Sequence, residues 1–419
     1  MKHQNALTTQ NKFIRLIPFL LILCLSNIAV ASSSVAILAG HLIDPATGKI
    51  RDNQIILIND ETIVEVGGKA DIPAGAKVID LSDAWVMPGL MNAHAHLALD
   101  VAHFKGKSTA YRALLGAYNA SIVLKAGFTT IKDIGDSGNY AMADVRRGID
   151  NGWFPGPTIF DAGDIIAPYG NGAPPGTLSP EAPRSRPGYI QADTVDEIRK
   201  AVRRTVFYGA NTIKILSENP TYSEDEIRAA VNEAERLGVR VSVHVGGKGV
   251  TDVILGGAHS VEHGLFMTDK QRSLMKKHGV WLVPTLFSPE HLKVAKGSSD
   301  KRAEKVAEIL FDTLQRAHQA GVKLAFGPDI IADLPDKDRA ETALATLSIW
   351  TAAGIPPSDI LRSMITEPAE LLGIENERGA IKAGFKADII ATPNNPLENI
   401  DALGGVSFVM KEGAVIVAP

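Results

Sequence analysis

From Trp85 to about residue 375, short β-branched runs alternate with longer segments of helical periodicity. Strands that alternate with helices are typical of βαβ units, whose strands form a parallel sheet. The runs predict eight strands, at Val86–Ala93, Thr129–Ile134, Thr158–Ala162, Thr212–Leu216, Arg240–Val245, His259–His263, Val280–Leu286 and Lys323–Phe326. Eight parallel strands over roughly 280 residues are what a (β/α)8 barrel requires. The predicted fold class is therefore α/β, with a (β/α)8 TIM-like barrel over residues 85–375.

The segments between these strands carry helix signals. Residues 194–197 and 223–226 each begin with Thr or Ser and end with Glu, which is the capping-box pattern of a helix N-terminus. Gly209 and Gly238 follow as stop signals, and a further helix over 301–321 ends in the same way.

Apart from the first 31 residues, both ends of the chain are rich in short β-segments. Residues 35–80 are punctuated by turn-forming glycine and proline, and β character returns after about residue 375. The most economical interpretation is one small β-sandwich domain built from residues 32–84 and 376–419. Residues 164–190 hold many Gly and Pro residues and predict a long loop over the end of the third strand, where loops often shape active sites.

The first 31 residues have the three parts of a secretory signal peptide. An apolar run over residues 16–25 follows the basic residues Lys2, Lys12 and Arg15, and Ala29-Val30-Ala31 gives a small-residue cleavage pattern. A membrane anchor is the alternative, but the run is shorter than the ~20 residues of a spanning helix. We therefore predict an exported protein, periplasmic or secreted, without stable membrane insertion after cleavage.

Cys24 is the only cysteine, and it lies in the predicted signal peptide. A lipid anchor on Cys24 is the weaker alternative, since the bulky Leu23 precedes it. The mature chain thus has no disulfide and no thiolate ligand, so His, carboxylate or another oxygen ligand must hold any metal. The net charge of −4, without a basic patch, argues against nucleic acid as a partner. A small-molecule substrate is the expected partner, and a homo-oligomer stays open.

His94 and His96 lie two residues apart at the end of the first predicted strand. The period of a strand places both side chains on one face, about 6–7 Å apart along it. Two imidazoles at that spacing can grip one ion, although an isolated pair is equally compatible with no ligand role.

Three more metal-type side chains follow predicted strands. His244 ends the fifth strand, His263 ends the sixth, and Asp329 comes just after the eighth. Each alone is compatible with a polar residue that caps a strand. Together with the first pair they fall at C-terminal strand ends, where barrel active sites are built. Imidazole and carboxylate without sulfur suit zinc, manganese, iron, cobalt or nickel.

Lys214 lies between Ile213 and Ile215 in the middle of the fourth predicted strand. A buried unpaired ammonium is costly, so this lysine should be modified, paired or neutral. It either reaches a carboxylate along the barrel or adds CO2 to become a carbamate, an anionic oxygen ligand that can bridge two ions.

Several motifs resemble the amidohydrolase superfamily, in its imidazolonepropionase-like, Xaa-Pro dipeptidase-like branch. They are Pro88-Gly89-Leu90-Met91-Asn92-Ala93-His94-Ala95-His96-Leu97, Ile213-Lys214-Ile215, His244, Val261-Glu262-His263-Gly264, Phe326-Gly327-Pro328-Asp329 and the tail from Gly379 to Asp388. The resemblance covers essentially the whole mature chain, and the motifs are specific as a set.

The resemblance implies two divalent metal ions, with zinc as the expected metal. The first would be bound by His94, His96 and Asp329, the second by His244 and His263, and a CO2-derived carbamate on Lys214 would bridge them. Asp329 would act as general base and then general acid. His263 and Tyr222 join Asp329 as predicted catalytic residues, because Tyr222 resembles a tyrosine that touches substrate in relatives.

The chain departs from the pattern of these relatives in three places. The loop over residues 167–172 has no Gly-Gly-His, Pro328 replaces the usual Thr, and Lys132-Asp133 replaces Arg-Asp. These changes concern substrate recognition more than the metals. Of the remaining histidines, His259 is predicted to have a structural role. His291 lies in a helical or loop context and is predicted to be solvated.

The sequence therefore predicts a metal-dependent hydrolase of a C–N amide bond, acting on a small substrate such as a dipeptide or N-acyl amino acid. A lactonase, esterase or organophosphate hydrolase on the same binuclear site is one alternative. A mononuclear cyclic amidohydrolase or deaminase, in which Lys214 is not a ligand, is another. A non-catalytic binding barrel would lack ligands, and none of the six is missing.

Overall fold

The structure is a computed structural model that describes residues 34–101, 107–135, 138–170, 173 and 188–419. The predicted signal peptide and most of the predicted loop over 164–190 lie outside the described residues. Within the described part of the chain, no helix combines the length and the apolar character that crossing a membrane requires.

The strands and helices alternate through the middle of the chain. The strands are β1 (Ser34–Asp44), β2 (Lys49–Asn59), β3 (Thr62–Gly67), β4 (Lys77–Pro88), β5 (Leu90–Ala95), β6 (Phe128–Asp133), β7 (Thr158–Asp161), β8 (Ile165–Ala167), β9 (Tyr189–Gln191), β10 (Ile213–Leu216), β11 (Val241–Val245), β12 (Ser260–His263), β13 (Trp281–Val283), β14 (Ile389–Thr392), β15 (Phe408–Lys411) and β16 (Ala414–Val417). The α-helices are α1 (Thr109–Lys125), α2 (Ala141–Asp150), α3 (Val195–Phe207), α4 (Glu224–Arg236), α5 (Val250–Leu255), α6 (Asp269–His278), α7 (Pro289–Lys296), α8 (Asp300–Ala320), α9 (Arg339–Ala345), α10 (Leu347–Ala352), α11 (Pro357–Met364) and α12 (Thr366–Leu372).

The two ends of the chain build one seven-stranded sheet in the order β16-β15-β14-β4-β1-β2-β3. Strand β4 joins the two ends, because it pairs parallel with β1 and antiparallel with β14. A separate cluster of buried aliphatic side chains, including Ile37, Ile56 and Ile389, covers this sheet. The predicted domain boundary at residue 84 falls inside β4.

The predicted strand over 86–93 is divided at Gly89. A Cβ atom there would lie 2.2 Å from Thr129 Oγ1, so the chain can approach β6 this closely only with glycine. The Gly89 amide donates instead to the carbonyl of Asp388. The chain thus leaves the terminal sheet at β4 and enters the barrel at β5.

Parallel strands form the barrel in two pieces. One piece has the order β5-β6-β7 and the other β13-β12-β11-β10-β8-β9. Backbone hydrogen bonds from Asn211 to Asp161 (3.0 Å) and from Ala93 to Phe326 (2.7 Å) join the pieces. The resulting ring has eight positions, occupied by β5, β6, β7 with its continuation β8, β10, β11, β12, β13 and residues 323–326, while β9 lies outside it. This arrangement confirms the predicted barrel.

The eighth predicted strand, residues 323–326, makes only an isolated parallel bridge, between Leu324 and Leu282. The amide of Phe326 donates to the carbonyl of Ser363 at 2.8 Å and is therefore lost to the ladder. This segment still closes the barrel between β13 and β5, and Asp329 follows three residues after its end.

The predicted capping boxes at the start of α3 and α4 are both formed. Each N-cap hydroxyl accepts from the backbone amide three residues on, and the glutamate side chain reaches back to the N-cap amide. The stop glycines Gly209 and Gly238 have φ of +111° and +74°, which glycine adopts at little cost. These helices pack their apolar faces on the outside of the barrel.

Candidate metal centre

Metal-type side chains from opposite sides of the barrel meet at its C-terminal end. Ligand atoms of His94, His263 and Asp329 all lie within 4.8 Å of one another, and these side chains are buried. Asp329 Oδ1 lies 3.5 Å from His94 Nε2 and 3.0 Å from His96 Nε2, while its Oδ2 lies 4.0 Å from His263 Nδ1. Three imidazoles around one carboxylate are a donor set that fits a divalent transition metal.

His244 and Lys214 complete the group of six predicted ligands. The His244 ring centroid lies 4.2 Å from that of His263, and its Nε2 lies 3.1 Å from a carboxylate oxygen of Glu218. Lys214 is buried on β10, and its charge interacts with those of Asp329 and Glu262. Burial lowers the pKa of Lys214 to about 8, although these two carboxylates act in the opposite direction. His244 therefore joins the first four side chains at this end of the barrel, and Lys214 lies within electrostatic reach of Asp329.

The backbone adopts costly conformations around this centre. His263, Thr285 and Asp329 have φ of +67°, +48° and +54°, in the left-handed region that non-glycine residues rarely enter. Each such residue costs on the order of 1–3 kcal/mol, and such residues cluster at functional sites. At Gly327 a Cβ atom would lie 2.7 Å from the backbone nitrogen of His94, so glycine is required for Asp329 to approach the histidines.

The loop after the first pair of histidines is held by hydrogen bonds. The Asp133 carboxylate accepts from the amide of Leu97 at 2.7 Å, and His96 Nδ1 donates to the carbonyl of Gly135 at 2.9 Å. The buried guanidinium of Arg339 donates to the carbonyls of His96 and Leu99, each at 3.0 Å. Because His96 Nδ1 carries a proton, its Nε2 is the ring atom turned toward Asp329, and it is the atom that would bind an ion.

Lys132, which the sequence assigned to substrate recognition, is instead buried in the barrel beside Glu262, a residue without a predicted role of its own. Glu262 Oε2 lies 2.6 Å from His94 Nδ1, and Glu262 Oε1 lies 3.1 Å from Lys132 Nζ. Both side chains are buried inside the barrel. Burial would raise the pKa of the Glu262 carboxyl, but Lys132 and His94 outweigh it and hold that pKa well below its usual range. A charged residue at alternate positions of a barrel strand points inward, and this signal could have found both.

Burial also acts to raise the pKa of the Asp329 carboxyl. His94 and His96 outweigh burial, so the pKa of Asp329 lies well below its usual value and the side chain is a carboxylate near neutral pH. It can therefore accept a proton or bind a cation.

Tyr222 is buried beside α4, and its hydroxyl donates to the carbonyl of Ala192 at 2.6 Å. Burial raises the pKa of this phenol far above its ordinary value, so it stays a neutral hydrogen-bond donor. Its predicted contact with substrate stays a prediction.

Two histidines outside the centre have structural surroundings. His259 Nδ1 accepts from the amide of Val241 at 3.3 Å, in agreement with its predicted structural role. The prediction that His291 is solvated is wrong, because this side chain is buried and its ring stacks on Phe287 with centroids 5.3 Å apart. The helical context did not show that α7 turns this residue inward.

Asp161 is a buried acid at the end of β7, and its charge interacts with that of Asp133 on the neighbouring strand β6. Its Oδ1 accepts from the amide of Gly163 at 3.1 Å, and its Oδ2 has no partner among the described residues. Burial, with Asp133 as the next cause, raises the pKa of Asp161 to about 7. The folded protein therefore holds a proton that the unfolded chain releases above pH 3.8, so stability falls as the pH rises from about 4 to about 7.

Replacing Asp161 by Asn removes this titration while keeping the acceptor for the Gly163 amide. We expect the stability of the variant relative to the wild type to increase by about 1–3 kcal/mol between pH 5 and pH 8, measured by urea unfolding. Asp196→Asn is the matched control, because the Asp196 side chain is 95% exposed. A difference that is the same at both pH values would contradict the assignment.

Comparison with known proteins agrees with this geometry. The model of the Amidohydrolase family matches residues 85–416, which is most of the chain. The chain belongs to the amidohydrolase family. Membership of this family confirms three predictions from the sequence. They are the barrel fold, the metal-binding character and the class of a hydrolase that acts on C–N bonds.

Individual relatives of this amidohydrolase are similar over nearly their full length. Ochratoxinase from Aspergillus niger is 28% identical over 433 residues, covering 92% of this chain and 88% of the relative. The crystal structure of a Xaa-Pro dipeptidase with bound methionine in the active site is 31% identical, with a TM-score of 0.82, over 91% of this chain and 99% of that one. A prolidase complexed with n-methylphosphonate-l-proline is 26% identical, with a TM-score of 0.80, over 92% of this chain and all (100%) of that one.

Proposed function

We propose that this amidohydrolase cleaves the peptide-like amide bond of a dipeptide or N-acyl amino acid at a binuclear zinc centre. The observation that carries the proposal is the convergence of His94, His263 and Asp329 within 4.8 Å, beside the buried Lys214. If each of these polar side chains only capped its own strand, a buried lysine and a carboxylate would not be needed beside the same histidines.

Each proposed ligand has a place in this arrangement. His94, His96 and Asp329 would hold the first ion, and His244 and His263 the second. When bound, the ions supply Lewis acidity for the amide carbonyl and make hydroxide available near neutral pH. Nitrogen and oxygen donors without sulfur are compatible with zinc.

Lys214 is proposed to bridge the two ions as a carbamate. Its neutral amine forms a bond to the carbon of CO2 and releases one proton, which gives an N-carboxylate with one negative charge. This change replaces a buried cation by an anion among imidazoles, so the cost of burying an ammonium disappears. The burial of Lys214 and its closeness to Asp329 support this modification.

Asp329 is proposed to move the proton of the reaction. Its carboxylate, held between His94 Nε2 and His96 Nε2, accepts a proton from the attacking water and then delivers it to the leaving amine nitrogen. The C–N bond breaks, the acyl carbon gains the hydroxyl, and the amine leaves neutral. The low pKa of Asp329 favours the ionised form that this role needs.

The named relatives favour an amino-acid-like substrate. The ligands named for the two structural relatives are methionine and n-methylphosphonate-l-proline, and both have the features of an amino acid. The departures at Pro328 and at residues 167–172 predict a recognition pattern different from that of a prolidase.

Metal removal and a substrate panel test this proposal. Dialysis against a chelator should lower activity at least about 100-fold, because the Lewis acidity is lost, and Zn²⁺ should restore it. The panel contains dipeptides, N-acyl amino acids, lactones, aryl esters, phosphotriesters, cyclic amides and aminopurines. A preference of at least tenfold in kcat/KM for the first two classes is expected.

Other outcomes would overturn the proposal. Full activity in the metal-free protein would exclude the metal mechanism. Preference for lactones, esters or phosphotriesters would indicate the alternative hydrolase on the same site, and preference for cyclic amides or aminopurines would indicate the mononuclear one.

We propose that the mature enzyme acts outside the cytoplasm, as the basic, apolar and small-residue pattern of residues 1–31 indicates. The protein for the assays should therefore be recovered from the periplasm or the medium with Ser32 as its first residue. An N-terminal sequence that begins at Met1 would contradict export with cleavage.

A further inference from the structure

A column of polar side chains runs through the barrel interior behind the metal centre. It comprises Lys132 on β6, Ser242 on β11, and Ser260 and Glu262 on β12, all buried. Lys132 Nζ lies 2.8 Å from Ser242 Oγ and 3.1 Å from Glu262 Oε1. Ser260 Oγ lies 2.6 Å from Glu262 Oε1 and 2.9 Å from Ser242 Oγ. Behind the metal centre, the interior of the barrel is therefore filled in part by hydrogen-bonded polar side chains.

The donors and acceptors of this column can be arranged in one way. An ammonium has three donors and no acceptor, so Lys132 donates to both Ser242 and Glu262. The Ser242 hydroxyl then donates to Ser260, and the Ser260 hydroxyl donates to Glu262 Oε1. One end of the Glu262 side chain thus receives two donors.

The other end of Glu262 determines the tautomer of His94. A carboxylate accepts hydrogen bonds only, so the 2.6 Å contact between Oε2 and His94 Nδ1 requires a proton on Nδ1. When the His94 imidazole is neutral, its lone pair then lies on Nε2, the atom that faces Asp329 at 3.5 Å and that would bind an ion. The proton on His96 Nδ1 is fixed by a backbone acceptor, the carbonyl of Gly135. The proton on His94 Nδ1 is fixed by a side chain, Glu262, which must itself be held in place.

We propose that Lys132 and Glu262 are positioning residues that hold His94 in the tautomer that binds metal. The inference rests on the proposed function in that His94 binds an ion. Lys132 acts by fixing the Oε1 end of residue 262 as an acceptor, which leaves only the Oε2 end for His94.

The substitution Glu262→Gln separates this role from simple packing. As long as Lys132 stays an ammonium, the carbonyl oxygen of the new amide faces it, because an ammonium has no lone pair to accept from an NH2 group. The NH2 group then faces His94 Nδ1, which must accept, so the proton of His94 moves to Nε2 and blocks the ligand atom. We expect the zinc affinity of the site at His94 to fall about 10–100-fold.

Removal of the lysine in the same variant should reverse the effect. In the double variant Lys132→Met, Glu262→Gln, no ammonium fixes the amide, which can rotate so that its oxygen accepts from His94 Nδ1. Its NH2 group can donate to Ser260, whose hydroxyl can reverse direction toward Ser242. The zinc affinity should rise at least about tenfold above that of the single variant, and the double variant leaves no buried charge unpaired.

The experiment measures zinc affinity by chelator competition, together with the ¹⁵N shifts of labelled histidine in the metal-free proteins. His94 should have Nδ1–H in the wild type and the double variant, and Nε2–H in Glu262→Gln. The matched control is Glu370→Gln, which breaks the partly exposed ion pair with Lys323 and should leave both readings unchanged.

The possible results separate this inference from the proposed function. Wild-type affinity in folded Glu262→Gln, or no recovery in the folded double variant, would overturn the positioning role. If Glu262→Gln does not fold, a His94 without a proton on Nδ1 in the wild type or the double variant would overturn it as well. If the wild type binds no zinc, the proposed function fails, while the ¹⁵N shifts still decide the tautomer of His94.

Discussion

Replacing Asp329 by Asn is expected to lower kcat by about 10²–10⁴-fold, the usual contribution of a general acid–base residue. The amide cannot take a proton from water or return one to the leaving amine. The loss should appear in kcat throughout the neutral pH range, because the carboxyl of Asp329 is ionised there. Steady-state kinetics on the best substrate of the panel provide the measurement.

Two comparisons make the Asp329→Asn result specific. Asp196→Asn removes an exposed carboxylate on α3 and should retain wild-type kinetics. The metal content of Asp329→Asn should also be measured, because Asp329 is a proposed ligand as well. A variant that loses kcat but retains its zinc supports the proton-transfer role, and a variant with unchanged kcat would eliminate it.

Lys214→Ala is expected to lower the tightly bound metal from about two ions per chain to about one. Without a bridging carbamate the two histidine groups share no anionic ligand, so activity should fall on the order of 10³-fold. The proteins are purified with bicarbonate present and without added chelator, and metal is measured per chain. Added acetate should restore part of the activity, because a free carboxylate can occupy the space left by the carbamate.

The matched control is Lys323→Ala, since Lys323 is 41% exposed and lies on the outside of the barrel. One equivalent of metal in the wild type, unchanged in Lys214→Ala, would favour the mononuclear amidohydrolase or deaminase. No metal in the wild type would favour a binding protein.

The sequence alone predicted the type of barrel, which the structure confirms, and named the residues that we propose as metal ligands. Alternation of strand and helix periods is a local property, and the helix caps at Thr194 and Ser223 depend on residues three positions apart. The placement of His94 and His263 at strand ends follows from the same local pattern, because parallel strands of a barrel bring their C-terminal ends to one face. Local periodicity was sufficient for these features.

Only the tertiary structure decided how the ligands are held. Glu262 contacts His94 from 168 positions along the chain, and Lys132 contacts Glu262 from 130 positions away. The irregular 323–326 segment likewise depends on a hydrogen bond to Ser363 of α11. A periodic pattern shows which face of a strand is buried, but the partner of a buried charge is fixed by the closure and register of the whole barrel. The residues proposed as ligands could thus be named from the sequence, whereas the network that holds His94 could not.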